Sequence, residues 1–531
     1  MTGRPTIRPL AHWPADTSAV LDDRPIGEVL LDRASATPDR AAVQWLAEDG
    51  LASLTYGELA VEATELGHVL LGLVGPRTPV AVAAATSVHW LALEYGAALA
   101  GTPLVPVNPA LSDPEIAHIL DTSGATALFA DAEHRGTALM DRVAKVAAGC
   151  GISAVHRLDG WRHLDAAGGS LPAVDARDPF LVQYTSGTTG RPKGAVLSHF
   201  AALNCAALSM ARLGGTADDS WLNVMPMHHV GGSVSVVLAV LSVGATVTLV
   251  PAFDPGLVLD LMERTRATII GAVPTMQLAM LEHPTFPTTD LSSLRMMQSG
   301  GSVVPTALIH QVEERFGVTV CNAYGQSESP NAIMTSPGDD DITKAETLGT
   351  PLEHREVRIV GPDGATTSVG ETGELVMRSP MVMDGYVGVD AATAESTLTP
   401  DGWLHTGDLC SMDEHGVIRI KGRVRDVIIR GGENIYPAEV EAVLLRHPAI
   451  SDVAVVGVAD DRWGEVPVAA YRSAAPAVDH EEVEAFARTS LASFKVPRRW
   501  ERVEQFPMTA SGKVKKFELR AQLEPEEEAG P

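Results

Sequence analysis

The chain has 531 residues, 45% of them hydrophobic and 20% charged, which is long enough to bury a large core and excludes a small binding module. Its formal net charge of -27 disfavours contact with nucleic acid and with anionic lipid, so neither a nucleic-acid partner nor integral membrane association is expected. The cysteines lie far apart without a CxxC pair, which indicates reduced thiols rather than zinc ligands. The first residues lack the apolar stretch of a secretory signal, and we expect a cytoplasmic protein.

Short apolar runs alternate with helical patterns over the first two thirds of the chain. A helix is predicted at 88–100, and the run 234–250 is broken by polar and glycine residues, which indicates a helix followed by a buried strand rather than a membrane span. Strands that alternate with helices predict parallel sheets covered on both faces, and therefore two α/β lobes. The predicted strands are 79–84, 103–107, 127–130, 267–273, 295–298 and 318–322.

Beyond about residue 357 the sequence pattern changes to short strand-like runs separated by turn-forming residues, which predicts a β-rich subdomain. A smaller unit with helices at 437–446 and 481–491 and a strand at 453–458 follows from about residue 425. The predicted fold class is therefore α/β. It has a large N-terminal domain, 1–424, made of two α/β lobes and the β-rich subdomain, and a small α+β C-terminal domain, 425–531.

The segment YTSGTTGRPKGA, 184–195, follows directly on a strand-like run and combines glycines, hydroxyl residues and a basic pair. Glycines let backbone N–H groups converge on an anion, and hydroxyls and a lysine add donors and charge, so the segment predicts a phosphate-binding loop. It lacks the GxxxxGK[ST] spacing of a Walker A loop, and a linker is the alternative interpretation. The residues expected to line the loop are Thr185, Ser186, Gly187, Thr188, Thr189, Gly190 and Lys193.

Further segments carry the residue types that ligand sites use, although each permits a plainer interpretation. Taken alone, His228 and His229 are interpreted either as metal ligands or as core residues whose hydrogen bonds are satisfied. Glu328 and Lys513, taken alone, are interpreted as solvent-exposed charges. The glycines that begin GGSVVP permit close approach of a ligand. The segments are MPMHHVGG (225–232), GGSVVP (300–305), NAYGQSES (322–329), DGWLHTGDL (401–409), KGRVRD (421–426), RGGENIYPAEVE (430–441) and PMTASGKVKKFELR (507–520).

Together and in this order, these segments resemble the acyl-adenylate-forming superfamily, which includes acyl-CoA synthetases, firefly luciferases and adenylation domains of nonribosomal peptide synthetases. The resemblance extends from about Ile26 to Leu523. It implies a mobile C-terminal domain, with ATP, Mg²⁺ and CoA as cofactors. It also implies that a small carboxylic acid displaces pyrophosphate from ATP to give an acyl-AMP, and that the acyl group then passes to CoA.

The resemblance implies roles for individual residues. Glu328 holds Mg²⁺, Thr185 and Lys513 act on the reacting phosphate, and His229 gates the acyl pocket, while the role of His228 stays open. Arg425 is the hinge. The residues expected to bind nucleotide or CoA are Thr185, Ser186, Gly187, Thr188, Thr189, Gly190, Lys193, Gly300, Gly301, Ser302, Asn322, Ala323, Tyr324, Gly325, Gln326, Ser327, Asp408, Arg423, Arg425, Gly431, Gly432 and Lys513.

The acid is expected to be fatty or aryl, because candidate pocket residues are apolar or small. An amino-acid-activating domain is disfavoured, since MHHVGGSVSVV has no acidic residue to hold a substrate ammonium. The alternatives are transfer to an acyl carrier protein or another non-CoA acceptor, a luciferase-like oxygenase, and an inactive homologue that serves as a binding protein. The candidate pocket residues are Met227, Gly231, Gly232, Met296, Met297 and Ala323, and the candidates for binding CoA phosphates are Lys495, Arg498, Arg499, Lys515 and Lys516.

Overall fold

The computed structural model describes residues 9–185, 192–300, 306–460, 462–473, 477–508 and 514–524. The chain forms two compact units. The large unit comprises Trp13–Val357 and Met377–Leu404, and the small unit comprises Met1–His12, Arg358–Val376 and His405–Pro531. The predicted domain boundary between residues 424 and 425 remains a prediction.

The strands fall into sheets that are taken up one by one below. In chain order they are β1 (His12–Trp13), β2 (Ala41–Ala47), β3 (Gly50–Thr55), β4 (Val80–Ala83), β5 (Leu104–Pro106), β6 (Ala127–Ala130), β7 (Glu133–His134), β8 (Thr137–Ala138), β9 (Ala154–Arg157), β10 (Pro179–Thr185), β11 (Lys193–Ser198), β12 (Ser220–Asn223), β13 (Thr246–Leu249), β14 (Ile269–Gly271), β15 (Met296–Gly300), β16 (Thr319–Gln326), β17 (Ser329–Met334), β18 (Thr350–Pro351), β19 (Glu356–Val360), β20 (Gly373–Arg378), β21 (Gly385–Val387), β22 (Leu404–Met412), β23 (Ile418–Arg423), β24 (Ile428–Arg430), β25 (Glu433–Ile435), β26 (Asp452–Asp460), β27 (Gly464–Arg472) and β28 (Arg499–Arg502).

Short polar signals set where several helices begin. Thr55 and Glu58 form a reciprocal capping box, in which each side chain accepts a hydrogen bond from the other residue's backbone N–H. The α-helices are α1 (Ile26–Ala36), α2 (Tyr56–Leu73), α3 (Val88–Ala100), α4 (Asp113–Ser123), α5 (Leu139–Gly149), α6 (His199–Arg212), α7 (Val230–Gly232), α8 (Ala239–Val243), α9 (Pro255–Thr265), α10 (Pro274–Leu281), α11 (Thr306–Phe316), α12 (Asp341–Glu346), α13 (Ala391–Thr397), α14 (Pro437–Leu444), α15 (His480–Arg488) and α16 (Lys516–Leu523). One π-helical segment, Ser233–Leu238, and short 3₁₀ turns at Leu158–His163, Phe286–Thr288 and Val424–Asp426 complete the described helical residues.

The first sheet of the large unit has seven strands in the order β21-β11-β10-β5-β4-β6-β9. The strands from β10 to β9 are parallel, as predicted, whereas β11 runs antiparallel to both of its neighbours. The prediction of parallel strands does not extend to β11, because a connection as short as the one between β10 and β11 joins antiparallel strands. Helices α4 and α5 cover one face through buried residues that include Ile116, Ile119 and Val143.

The second sheet of the large unit has nine strands in the order β18-β17-β16-β15-β14-β12-β13-β2-β3. Its inner strands are parallel, and β3, β17 and β18 add antiparallel edges. One face packs on α9, α10 and α11 through Leu222, Ile270, Met297 and Val320. Because side chains alternate along a strand, residues next to these in sequence point to the opposite face.

The small unit contains most of a five-stranded sheet, β1-β19-β20-β22-β23, and a second sheet of β25-β24-β27-β26 with β28 beside β27. The long hairpin β26-β27 alternates its core residues between two faces. Val453 and Val455 pack with α14 and α15, while Ala454 and Val456 pack with α16. The predicted β-rich subdomain and the following α+β unit are both present.

Most predicted elements lie close to the observed ones. The helix at 88–100 and the strand at 127–130 have the predicted bounds, and the run 234–250 contains helix, a left-handed Gly244 and the strand β13. The strand predicted at 318–322 is too short, since β16 continues to Gln326 to form a hairpin with β17. Within the described part of the chain, no helix is long and apolar enough to cross a membrane.

Candidate active site

The two strands that flank the predicted phosphate loop form an antiparallel pair in the large unit. Tyr184 pairs with Gly194, and Thr185 pairs with Lys193. The ammonium nitrogen of Lys193 lies 5.7 Å from the centre of the Tyr386 ring. The loop's predicted phosphate ligands Ser186, Gly187, Thr188, Thr189 and Gly190 lie outside the described residues.

Glu328 lies at the turn of the β16-β17 hairpin and is only 6% exposed. Its Oε1 accepts a hydrogen bond from the phenol of Tyr386, and its backbone carbonyl accepts one from the N–H of Met383 at 2.8 Å. Burial raises the pKa of Tyr386, and the neighbouring Glu328 raises it further. The phenol therefore stays protonated and acts as a fixed donor to the carboxylate.

This carboxylate fits Mg²⁺ rather than a metal that requires a full set of protein ligands. The described residues contain no cluster of three or more His, Cys, Asp or Glu that would enclose an ion. Mg²⁺ commonly uses one or two carboxylates and takes its other ligands from phosphates and water. One buried carboxylate with a single oxygen committed to Tyr386 provides such a ligand.

Several buried polar atoms lie toward the carboxyl ends of β10, β15 and β16 without a hydrogen-bond partner among the described residues. They include Gln183 Oε1, Gln298 Nε2, Ser299 Oγ, Asn322 Oδ1 and Gln326 Nε2. Buried polar groups are nearly always paired in folded proteins, so each of these atoms is a place where a ligand or water can supply the partner. Of these residues, Gln183, Gln298 and Ser299 were not singled out from the sequence, because isolated amides and hydroxyls in apolar strands carry no motif.

Glycines bring the backbone close together beside these atoms. A Cβ at Gly300 would lie 2.4 Å from the carbonyl oxygen of Ala323, and one at Gly325 would lie 2.4 Å from the backbone nitrogen of Asn331. Tyr324 is half-buried on β16, and Ser327 is buried in the following turn. Gly301 and Ser302 lie outside the described residues.

The two histidines of MPMHHVGG have different surroundings. Burial lowers the pKa of His228 to about 4, and neighbouring His229 lowers it further. The carbonyl of His228 accepts a hydrogen bond of 3.1 Å from Gln183 Nε2. His229 is exposed and caps α7, since its Nδ1 accepts from the N–H of Gly231 at 3.0 Å. His228 is thus a neutral, largely buried ring, and His229 is the one that solvent reaches.

In the small unit, Asp408 and Arg423 are cross-strand partners on β22 and β23. Arg423 Nε lies 2.9 Å from Asp408 Oδ1 as an ion pair, and Asp408 is 1% exposed. A carboxylate fixed in this way accepts donors such as sugar hydroxyls without reorganising. The structure therefore brings together this predicted pair, which lies 15 positions apart in the sequence.

Gly431 and Gly432 form the turn between β24 and β25, with φ of 60° and 90°. Two consecutive left-handed residues are the requirement of a type I′ hairpin turn, which explains the glycine pair. A Cβ at Gly431 would lie 2.9 Å from the Trp463 ring. Arg425 is exposed in the 3₁₀ turn Val424–Asp426, and its Nε lies 3.5 Å from Asp426 Oδ1. Lys513 lies outside the described residues.

The basic stretch near the C-terminus is largely neutralised within the small unit. Lys495 pairs with Glu439, and Lys516 with Glu441. Arg499 and Lys515 likewise form ion pairs with nearby glutamates. Among the five basic residues proposed for CoA phosphates, Arg498 alone is exposed without an ion pair to the described residues.

Comparison with known proteins covers nearly the whole chain. The family model described as AMP-binding enzyme matches residues 30–387, and the AMP-binding enzyme C-terminal domain matches 439–513. A feruloyl-CoA synthase of Amycolatopsis is 37% identical, across 93% of this chain and 98% of the relative. The mitochondrial medium-chain acyl-CoA ligase of Mus musculus is 34% identical, across 97% and 90%. The o-succinylbenzoate CoA synthetase of Bacillus subtilis, solved with its acyl-adenylate intermediate, is 30% identical, with a TM-score of 0.83 and coverage of 94% and 99%.

Proposed function

The chain belongs to the AMP-binding enzyme family, as an ATP-dependent acid–CoA ligase, and from this premise we propose which residues carry the reaction and which acid it takes. The observation that carries the proposal is the buried Glu328 carboxylate, whose Oε1 accepts a hydrogen bond from Tyr386. Activation of an acid requires a cation and donors at the phosphates. The carboxylate holds the metal cation, and Lys193, whose ammonium group lies over Tyr386, adds a positive charge.

The large unit binds the phosphates of ATP and Mg²⁺. Thr185 and Lys193 flank the phosphate loop, and Glu328 offers its second oxygen to the metal. Bound Mg²⁺ supplies charge neutralisation at the phosphates and Lewis acidity. The chain's own contribution is to hold the carboxylate of the substrate in line with the α-phosphate, and the positive charges of Lys193 and Lys513 offset the repulsion between the anions.

The small unit binds the ribose and serves the second step. Asp408, oriented by Arg423, accepts the ribose hydroxyls. The glycine turn at Gly431 and Gly432 presents backbone without side chains to the pantetheine arm of CoA. Lys513 acts during adenylation, and rotation about Arg425 then exchanges it for this turn.

The acid is an aryl acid that carries an oxygen substituent, in preference to a plain fatty acid. Asn223, Gly271 and Gln298 form one cross-strand row on β12, β14 and β15, so they share a face of the sheet with Met296. The N–H donors of Trp221, Asn223 and Gln298 have no partners among the described residues, and a Cβ at Gly271 would lie 3.8 Å from Trp221 Nε1. Donors on this face favour a substrate with acceptor oxygens. Met297 packs into the opposite core and is a weaker candidate for the pocket wall.

Pyrophosphate release tests the proposal. We expect release that depends on hydroxylated or methoxylated aryl acids, weaker release with fatty acids of similar length, and thioester only when CoA is added. Release without thioester in the presence of CoA would indicate a carrier protein or another acceptor. Absence of release with fatty, aryl, amino and short aliphatic acids alike would favour the inactive homologue.

Arg498 is the basic residue most available to a phosphate of CoA, because its neighbours in the same stretch are ion-paired. We expect Arg498→Gln to raise the KM for CoA by about 10-fold, since a charge-assisted contact contributes roughly 1.5–3 kcal/mol before solvent screening. Pyrophosphate release without CoA should not change. The matched control is Arg488→Gln, which removes the same charge from an arginine paired with Glu484. An equal rise in both variants would indicate a general charge effect and contradict the assignment.

A further inference from the structure

Helix α4 contacts the chain on both sides of the phosphate loop. His118 and Thr122 lie one turn apart on the same face of α4. His118 Nε2 lies 2.9 Å from the carbonyl oxygen of Pro192, and Thr122 Oγ1 lies 2.7 Å from the phenol oxygen of Tyr184. Tyr184 precedes the loop and Pro192 follows it, so one helix holds both of its flanks.

We propose that His118 and Thr122 are positioning residues that fix the two flanks of the phosphate loop and thereby set the affinity for ATP. The inference rests on the proposed function in that residues 184–193 bind phosphate. It assigns no contact with ATP to either side chain. Their effect passes through the backbone of β10 and β11.

The directions of these hydrogen bonds are determined by their chemistry. A carbonyl oxygen only accepts, so the bond to Pro192 requires the proton on Nε2 of His118. Thr122 Oγ1 donates to the carbonyl of His118 at 2.6 Å. Its single proton is used there, and the threonine oxygen must therefore accept from the Tyr184 phenol. The result is one continuous chain of bonds from Tyr184 through Thr122 to the backbone of α4.

Helix α4 is itself well anchored. Ile116, Ile119 and Leu120 are buried in the core beneath the seven-stranded sheet. Ser112 and Glu115 form a capping box at the start of the helix, and Arg142 forms an ion pair with Asp113 at 2.6 Å. A helix fixed by packing and by its first turn is a rigid reference for the side chains that it carries.

The strand on the far side of the loop limits movement as well. A Cβ at Gly194 would lie 2.9 Å from the Tyr184 ring, so the missing side chain lets this ring lie directly against β11. The Tyr184 ring is thus bounded by Gly194 and Thr122. Pro192 directly precedes Lys193, whose ammonium group lies over Tyr386, the donor to Glu328. Releasing Pro192 therefore alters the placement of the Lys193 charge relative to the metal-binding carboxylate.

The test compares Thr122→Val and His118→Phe, which remove the hydrogen bonds and keep the shapes. Each should raise the KM for ATP by about 3- to 10-fold, the size expected for the loss of a neutral hydrogen bond, and leave the KM for the acid unchanged. His118→Gln, whose amide N–H reaches the position of Nε2, should restore most of the affinity. Thr64→Val is the matched control, because Thr64 Oγ1 bonds to the Ala60 carbonyl on α2 in the same way.

A double-mutant cycle adds a measurement that a change in stability alone would not reproduce. Thr122→Val combined with Tyr184→Phe should raise the KM for ATP no more than the larger single change, because both substitutions remove the same Thr122–Tyr184 hydrogen bond. Additive effects would overturn the proposal that His118 and Thr122 fix the flanks of the loop, which we call the α4 clamp. A KM for ATP in Thr122→Val and His118→Phe equal to that of Thr64→Val would overturn it as well. Lys193→Ala serves to separate the two proposals. If it leaves the KM for ATP unchanged, the phosphate-loop assignment fails and the clamp falls with it; if it raises this KM while the α4 variants do not, only the clamp fails.

Discussion

Glu328 has its backbone and its side chain fixed by different residues. The Met383 N–H holds the Glu328 carbonyl, and the Tyr386 phenol holds one carboxylate oxygen. The second oxygen is then oriented by the first, so the carboxylate needs little reorganisation to bind a cation. Its charge and its orientation can be changed separately, since they depend on two different residues.

Glu328→Gln and Tyr386→Phe should have distinct effects on Mg²⁺ dependence. Gln keeps the shape of Glu but removes the charge, and we expect pyrophosphate release to fall by about 10²- to 10³-fold. Tyr386→Phe leaves the charge and removes one donor, so the expected loss is about 10-fold or less and is partly recovered at high Mg²⁺. Titration of Mg²⁺ at saturating ATP and acid checks both. Glu62→Gln, at a residue paired with Arg162 on the large unit, is the control. An unchanged Mg²⁺ requirement in Glu328→Gln would contradict the metal assignment.

Residues that lie in motifs could be predicted from the sequence. Residues whose role depends on a contact with a distant part of the chain could not. Asp408 and Arg423 were both expected at the nucleotide, and their register on β22 and β23 places them in contact. Tyr386 was not expected, because a single tyrosine in a short strand gives no sign that its phenol meets Glu328, 58 positions away. Gln183 Oε1 and Gln298 Nε2, which lack partners among the described residues, were not predicted for the same reason.

Helix α6 begins at a buried histidine, so we expect the stability of this element to respond to pH. Both ring nitrogens of His199 lack partners among the described residues, and the ring is 1% exposed. Burial lowers its pKa to about 4 from 6.5. Ser198 caps the helix, whose N-terminal dipole also disfavours a positive charge at this position. The neutral ring is the folded form.

Stability should therefore fall as the pH drops from about 6.5 toward 4, since the unfolded chain binds a proton there that the folded chain excludes. At pH 5.5 the difference amounts to about 1.4 kcal/mol. His199→Phe keeps an aromatic ring beside Phe180. It should reduce the loss of unfolding free energy between pH 7.5 and pH 5.5, measured by urea titration, by about that amount. The exposed His415→Phe is the control, and an identical shift in wild type and His199→Phe would refute the role of His199.

The bounds of a helix or strand can be predicted from the local sequence pattern where the residues that end it are also close to it in sequence. The bounds of α3 were predicted because its cap, Ser87, and its left-handed Gly101 both lie beside it in the chain. The length of β16 was not, because its last residues belong to a hairpin whose turn contains Glu328 rather than a glycine or asparagine turn signal. The antiparallel edge at β11 likewise depends on the short return of the phosphate loop.

At the scale of the whole molecule, charge distribution changes the interpretation of the sequence. The basic residues near the C-terminus were predicted to bind the phosphates of CoA, yet glutamates from α14 and elsewhere in the small unit form ion pairs with most of them. Glu439 lies 56 positions before its partner Lys495, and Glu441 lies 75 positions before Lys516. A count of the charges in the C-terminal sequence segment therefore does not include these glutamates. What is left is the exposed Arg498. Arg430 is itself buried, and burial, together with the neighbouring Arg498 charge, lowers its pKa.

The two half-reactions are expected to divide at Arg425. This residue is exposed in the short turn Val424–Asp426 between β23 and β24, and its Nε is 3.5 Å from Asp426. A hinge must change its backbone dihedrals, and proline fixes φ near −65°. Arg425→Pro should therefore retain acid-dependent pyrophosphate release, measured with hydroxylamine to trap the adenylate, and lose thioester formation by about 10²-fold or more.

Arg425→Gln separates the backbone from the side chain, because it removes the contact with Asp426 and leaves φ free. It should retain both steps within a few-fold. Equal loss of adenylation and thioester formation in Arg425→Pro would mean that the substitution disturbs the proposed nucleotide site, to which we assign Asp408 and Arg423 on the adjacent strands. If Arg425→Gln also loses thioester formation, the second step depends on the guanidinium of Arg425 rather than on its backbone dihedrals. Selective loss in the proline variant alone would locate the conformational step at residue 425 and place the functional boundary at the predicted position between residues 424 and 425.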